Sequence, residues 1–155
     1  MYGRILVPVD GSETSRRGLA EAIEIAKSLG SRIRLVHIVN ELIFDFAGAS
    51  GVYADTVIQS LREGGQTILK QAESAVRQQG IAPECVLLES IGNRAADLIL
   101  AQASEWPADL IVMGTHGRRG VRRAALGSDA EDVVRASSVP VLLVHAASRR
   151  GAGGA

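Results

Sequence analysis

Asp109-Leu110-Ile111-Val112-Met113-Gly114-Thr115-His116-Gly117, followed after nine intervening residues by Gly127-Ser128, is the stretch on which the fold turns. Leu110 to Met113 is a continuous apolar run, too short for a helix before the glycine punctuation, and it predicts a buried strand. The segment after Gly127 carries the marks of a helix start. Ser128 and Glu131 stand in the S-x-x-E relation, which predicts a capping box: the Glu131 backbone N–H donates to the serine hydroxyl and the glutamate reaches back. The unit is therefore strand, glycine loop, helix N-terminus. Glycines let the backbone approach a ligand closely, and helix N–H groups at the positive end of the dipole favour an anion such as phosphate. Glycines after a parallel strand also serve as plain turn residues, so a phosphate site and a structural turn both stand at this point. Arg118, Arg119, Arg122 and Arg123 crowd the same loop; guanidinium groups suit phosphate oxygens, and such a cluster equally makes a solvated basic loop.

Working outward, the rest of the chain repeats the alternation of strand and helix. Arg4 to Val9 is rich in branched apolar residues and ends in Asp10-Gly11-Ser12, a first strand and its loop. From Thr14 to Leu29, Leu19, Ala22, Ile23 and Ala26 fall at helical spacing, with Gly30 placed to stop the helix. Ser31 to Val39 reads as a second strand, and Asn40 to Ala54 as a long loop of the kind that often carries function. Asp55 to Gln79 predicts an amphipathic helix that Gly64-Gly65 would weaken in the middle. Cys85 to Glu89 is a third strand, Asn93 to Ser104 a third helix, Ser128 to Ala136 a fourth, and Val139 to His145 a fifth strand. Such alternation implies right-handed parallel crossovers and a sheet covered on both faces, an α/β doubly wound domain. Ligands in such sheets lie beyond the carboxyl ends of the strands, where the strand order reverses. Two loops are then expected to share one site: Pro8 to Ser12 after the first strand, and Gly114 to Gly127 after the fourth.

The chain has 155 residues, a formal net charge of zero and an apolar fraction of 46%, which fits one domain over residues 1–146 with a flexible tail at 147–155. Balanced charge argues against a dedicated nucleic-acid binder. The opening Met1-Tyr2-Gly3-Arg4-Ile5-Leu6 runs straight into a strand and is not expected to act as a signal peptide, and no apolar stretch reaches membrane-spanning length. Cys85 is the sole cysteine, so no intrachain disulfide forms and a reducing, cytoplasmic setting is the simplest. It is expected to be a small buried strand residue.

Several chemistries drop out on their motifs. No G-x-x-x-x-G-K-[ST] string occurs, the G-x-G-x-x-G fingerprint is missing after the first strand, and G-x-S-x-G is absent. His37, His116 and His145 show no metal-ligand spacing. His37 is expected to be a hydrogen-bonded core histidine, whereas His116 inside the glycine loop can reach a ligand. Asp10 at the end of the first strand can hold a magnesium ion bridging phosphates, hydrogen-bond a ribose, or simply close an Asx turn. No second group pairs with it by spacing, so the residues support binding over catalysis.

The combination resembles the universal stress protein family. Gly114-x-x-Gly117, nine residues and Gly127-Ser128 is similar to that family's ATP-binding signature. Ile5-Leu6-Val7-Pro8-Val9-Asp10-Gly11-Ser12, Val36-His37-Ile38-Val39, Leu110 to Gly114 and Val139-Pro140-Val141-Leu142-Leu143-Val144 match further family blocks in order. The resemblance implies a five-stranded parallel sheet in three layers, of the adenine nucleotide alpha hydrolase-like type, in a homodimer joined through Val141 to His145, an exposed edge. It implies that Pro8, Val9, Asp10 and Ile38 line the adenine and ribose region and that Met113 walls the pocket. Gly114, Thr115 and Gly117 would admit the phosphates, and Gly127 and Ser128 would donate to them. Asp129 follows the serine where the nucleotide-binding branch carries a small or apolar residue; its carboxylate repels a terminal phosphate, which shifts the preference toward ADP or AMP or calls for a metal ion. The implied function is an ATP-binding stress-response or signalling module, with Mg at Asp10, a partner protein still to be identified, and weak ATPase activity at most. A stress protein that acts only through its dimer surface, and a slow ATP hydrolase, are the competing readings.

Overall fold

The computed structural model of the chain describes residues 1–40, 52–116 and 126–146. Its elements run β1 (Arg4–Pro8), α1 (Glu13–Leu29), β2 (Arg32–Asn40), α2 (Val52–Arg77), β3 (Glu84–Ser90), α3 (Ala95–Glu105), β4 (Leu110–Gly114), α4 (Ser128–Ala136) and β5 (Val141–Val144). All strand pairs are parallel, in the order β3-β2-β1-β4-β5. The chain winds outward from β1 in one direction, then returns to β4 on its other side. The order therefore reverses between β1 and β4, which opens a crevice at their carboxyl ends.

Two apolar layers sandwich the sheet. Ile5, Val7, Leu35 and Val112 pack with Leu19, Ala22, Ile23 and Ala26 of α1 and Ile68, Leu69, Ala72 and Val76 of α2. Leu6, Val36, Ile111 and Met113 pack with Ala96 and Ile99 of α3 and Ala130 and Val133 of α4. Alternate residues of one strand thus feed opposite layers, as the pleat requires. Fully burying each leucine, isoleucine, valine or methionine side chain contributes roughly 1.5–3 kcal/mol, and each alanine less. α1 starts at Ser12, whose hydroxyl accepts from the Ser15 N–H, and stops at Gly30, which takes φ 68°.

The differences from the sequence-based bounds have local causes. α2 runs unbroken through Gly64-Gly65 because the helix there lies against the sheet: a Cβ on Gly65 would stand 2.7 Å from His37 Cδ2 and 2.9 Å from Leu87 Cδ1. Close approach, not a break, is the reason for that glycine. Val52–Ala54 belongs to α2 and Asn40 to β2, so the expected loop shortens from both ends; residues 41–51 lie outside the described residues. β5 begins at Val141 rather than Val139. The Ser137 hydroxyl ties back onto Val139, accepting from its N–H at 3.1 Å and donating to its carbonyl at 2.7 Å, and Pro140 has no N–H for the ladder. Cys85 is exposed, contrary to the expectation of a buried residue. β3 is an edge strand, and the thiol faces Glu73 of α2; partial desolvation first, then the Glu73 charge, pushes its pKa up. The tail at 147–155 also lies outside the described residues.

Candidate functional site

At the carboxyl end of β1 the chain turns sharply around Asp10. Val9 has left the strand, yet its N–H still donates to the Val36 carbonyl at 2.8 Å. The Asp10 N–H donates to Ser15 Oγ at 3.1 Å, and Asp10 Oδ1 accepts from the Ser12 N–H at 2.8 Å. This is the Asx turn that one reading of Asp10 expected. Gly11 takes φ 78°, in the left-handed region where glycine carries no steric penalty.

The loop after β4 is fastened to that turn. The Thr14 hydroxyl donates to the His116 carbonyl, and Ser12 Oγ donates to the same oxygen at 3.4 Å. Thr115 is fully buried. Its N–H donates to the Val144 carbonyl at 3.0 Å, and its own carbonyl accepts from the Gly127 N–H at 2.8 Å. Thr115 Oγ1 and His116 Nδ1 are 2.9 Å apart and share a hydrogen bond. A short hydroxyl-rich segment, Ser12 to Ser15, therefore stitches the first loop to the fourth.

The Thr115 bond to Gly127 also decides how α4 begins. Gly127, in extended conformation, is the N-cap, and its carbonyl accepts from the Glu131 N–H at 2.9 Å. Ser128 is thereby the first residue of the helix and not its cap. The predicted capping box does not form: the N-cap Gly127 has no side chain to offer, and the Glu131 carboxylate turns to Arg135, one helical turn on, at 2.6 Å. Among the described residues no side chain caps the N–H groups of the first turn of α4.

Asp129 sits in that first turn and faces like charge. Partial desolvation, then the carboxylates of Asp132 and Asp10, raise its pKa above the usual aspartate value. Asp10, in the turn after β1, and Asp129, in the first turn of α4, thus interact electrostatically beside the carboxyl ends of β1 and β4.

The other sequence-predicted positions among the described residues lie in the core layers or at the strand ends. Val9 is buried in the α1/α2 layer and Met113 in the α3/α4 layer, where Ile38 packs half-buried against the same cluster. Pro8 forms the last β1–β2 rung, opposite Val36. Gly114 packs beneath α1, where a Cβ would stand 2.8 Å from the Ser15 backbone nitrogen. Gly117 and the arginines at 118, 119, 122 and 123 lie outside the described residues. His37 is a hydrogen-bonded core histidine, as its strand position suggested: Nδ1 lies 2.7 Å from the Val9 carbonyl. Sequence reasoning missed Thr14 and Ser15; three hydroxyl residues within four positions after Asp10-Gly11 were the available signal.

A second polar cluster, at the opposite end of the sheet, also escaped the sequence reading. Glu84 on β3 pairs with Arg32 and Arg34 of β2 and accepts from Trp106 Nε1 at 3.2 Å. The Arg34 guanidinium stacks 4.8 Å from the Trp106 ring centroid. The Arg34 hydrogen bond, then the Trp106 bond and the arginine charges, hold the Glu84 carboxyl below its usual value against the opposing effect of desolvation.

Among the described residues no group of three or more His, Cys, Asp or Glu is placed to hold a metal, and no helix is long and apolar enough to cross a membrane.

Several known proteins with this organisation are described as universal stress proteins. The chain is 34% identical over 144 residues to a universal stress protein of Methanocaldococcus jannaschii, covering 93% of this chain and 82% of that one. A crystal structure from the universal stress protein family of Burkholderia pseudomallei superposes with a TM-score of 0.75 at 31% identity, covering 92% of this chain and 96% of that chain. A universal stress protein of Archaeoglobus fulgidus, solved in complex with dAMP, gives a TM-score of 0.65 at 28% identity over 92% of this chain and 98% of that chain. The family model of the universal stress proteins matches residues 1–145, and the chain belongs to that family.

Proposed function

We propose that this protein is an ATP-binding universal stress protein, a nucleotide-dependent stress-response or signalling module and not a fast enzyme. The observation that carries the reading is the junction of the two loops at the β1/β4 switch point, where Thr14 and Ser12 hold the His116 carbonyl. Asp10 and Asp129, in the first turn of α4, lie within electrostatic reach of each other beside that junction. The dAMP complex of the Archaeoglobus fulgidus relative supports an adenine nucleotide as the ligand class. Pro8, Val9, Asp10 and Ile38 would face the base and ribose, with Met113 behind them. Gly114, Thr115, Gly117, Gly127 and Ser128 would surround the phosphates. Asp10, with Asp129 opposite, would share a magnesium ion with phosphate oxygens, which offsets the mutual repulsion of the two carboxylates.

Asp129 favours a second reading of the phosphate end. Without a cation its charge opposes a terminal phosphate, so AMP or ADP would bind in preference to ATP when magnesium is withheld. A homodimer through β5 is supported by the position of that strand at the sheet edge with Leu142 exposed. The free thiol of Cys85 suits a cytoplasmic setting.

The test is thermal unfolding of the wild type and of Gly117→Val, with and without magnesium ATP. A ligand that binds only the native state stabilises it by about 2.7 kcal/mol at a hundred times its dissociation constant. A shift in the wild type that is lost in the folded variant supports the pocket. No wild-type shift at millimolar nucleotide overturns it in favour of a stress protein that acts through its surface.

A further inference from the structure

The peptide group joining Val9 to Asp10 is held from both sides. Its carbonyl oxygen lies 2.7 Å from His37 Nδ1, and its N–H donates to Ser15 Oγ at 3.1 Å. A carbonyl oxygen can only accept, so Nδ1 carries the proton and the imidazole is the donor. The two partners come from different elements, β2 and α1. Both are buried, His37 at 8% and Ser15 at 5% exposure. This is the first peptide beyond the β1 ladder, whose last paired residues are Pro8 and Val36. Regular strand hydrogen bonding no longer sets its plane, and two side chains do.

We propose that His37 is a positioning residue for the nucleotide site: with Ser15 it pins the plane of the Val9–Asp10 peptide and so presets the direction in which Asp10 leaves β1. The inference rests on the nucleotide reading given above. Rotation of this peptide about its flanking bonds would swing the Asp10 carboxylate, and a pinned plane removes that freedom before the ligand arrives. Gly65 of α2 is part of the device. It leaves the space that the imidazole fills, since a Cβ there would stand 2.7 Å from Cδ2 and 3.1 Å from Nε2 of His37. The chain therefore connects α2, through an imidazole, to the acid at the switch point.

The test is the affinity of the intact protein for magnesium ATP, measured by calorimetry, in His37→Leu, His37→Asn, Ser15→Ala and Asp10→Asn, and in His37→Leu combined with Asp10→Asn. Loss of one positioning hydrogen bond is expected to weaken binding about tenfold in His37→Leu. His37→Asn, whose side-chain amide can donate from nearly the same place as Nδ1, is expected to recover most of that loss. The decisive reading is the double-mutant cycle. If His37 works through Asp10, the His37→Leu loss disappears in the Asp10→Asn background, an effect that general destabilisation would not produce. Where His37→Leu does not fold, Ser15→Ala removes the opposite pin with a smaller change, and the same cycle is run with it. Equal affinity in wild type and folded His37→Leu, or losses that multiply in the double variant, overturns the inference while the nucleotide reading stands. Absence of binding by the wild type overturns the nucleotide reading and this inference together.

Discussion

Gly114 carries the first turn of α1 directly on its α-carbon: a Cβ at that position would stand 2.7 Å from the carbonyl carbon of Thr14. The last residue of β4 and the first turn of the helix after β1 are thus in backbone contact. The same turn sends the Thr14 hydroxyl to the His116 carbonyl two residues further on. Packing at Gly114 is what brings the two loops into one crevice.

In Gly114→Ala the added methyl group would meet the Thr14 hydroxyl and, beside it, backbone atoms of Thr14 and Ser15 that no side-chain rotation can move aside. Overpacking of this kind costs about 1–3 kcal/mol. The substitution is expected to lower the melting temperature by several degrees and to weaken nucleotide binding as the loops part. Unfolding scans and calorimetry on the same preparation check both effects.

The paired glycines of α2 are expected to respond in opposite directions. Gly64 is exposed, and a methyl group added there would meet nothing within 4 Å, so Gly64→Ala is expected to stabilise the helix by about 0.5–1 kcal/mol. Gly65→Ala meets His37 and Leu87 and is expected to destabilise. Urea unfolding of the two single variants measures the contrast directly.

Glu84 reports through the sole tryptophan of the chain, Trp106, whose indole N–H it accepts. Glu84→Gln leaves Arg34, whose Nε is already buried without a hydrogen-bond partner, with a weakened partner set. Solvent screening of this half-exposed cluster limits the expected cost to about 1 kcal/mol or less. The folded-state pKa of Glu84 is lowered, so its contribution is present above the ordinary carboxylate value and is lost as pH falls through the lowered one. Tryptophan emission and unfolding midpoints, compared at neutral and acid pH, are expected to differ between wild type and variant only at neutral pH.

Asp129 has the opposite sign. Its folded-state pKa is raised, so the folded protein holds that proton more tightly, and stability declines as pH rises from the ordinary aspartate range through the raised value. Asp129→Asn is expected to melt higher than wild type at neutral pH and equally in acid. It is also expected to bind ATP without magnesium more tightly than wild type does, whereas AMP affinity changes less. Titrations of both nucleotides with and without the metal check this.

The layered α/β architecture was legible in the sequence because it rests on short-range patterns. Branched apolar runs such as Leu110 to Met113 and helical spacings such as Leu19-Ala22-Ile23-Ala26 register burial on one face or both, and Gly30 ends its helix through its own conformational freedom. The resemblance to the universal stress proteins rested on the same glycines and strands. Tertiary structure alone decided what those residues touch. Whether Ser128 caps α4 depended on the Thr115 carbonyl reaching Gly127 across the loop. The purpose of Gly65 depended on how near α2 lies to His37. The exposure of Cys85 depended on β3 falling at the edge of the sheet. The pairing of Glu84 with Arg34 and Trp106 joined residues many positions apart. Local sequence encodes the preferences of a segment for a conformation and for burial. Hydrogen bonds and close contacts between distant segments are set by strand order and register, which appear only when the whole sheet is assembled.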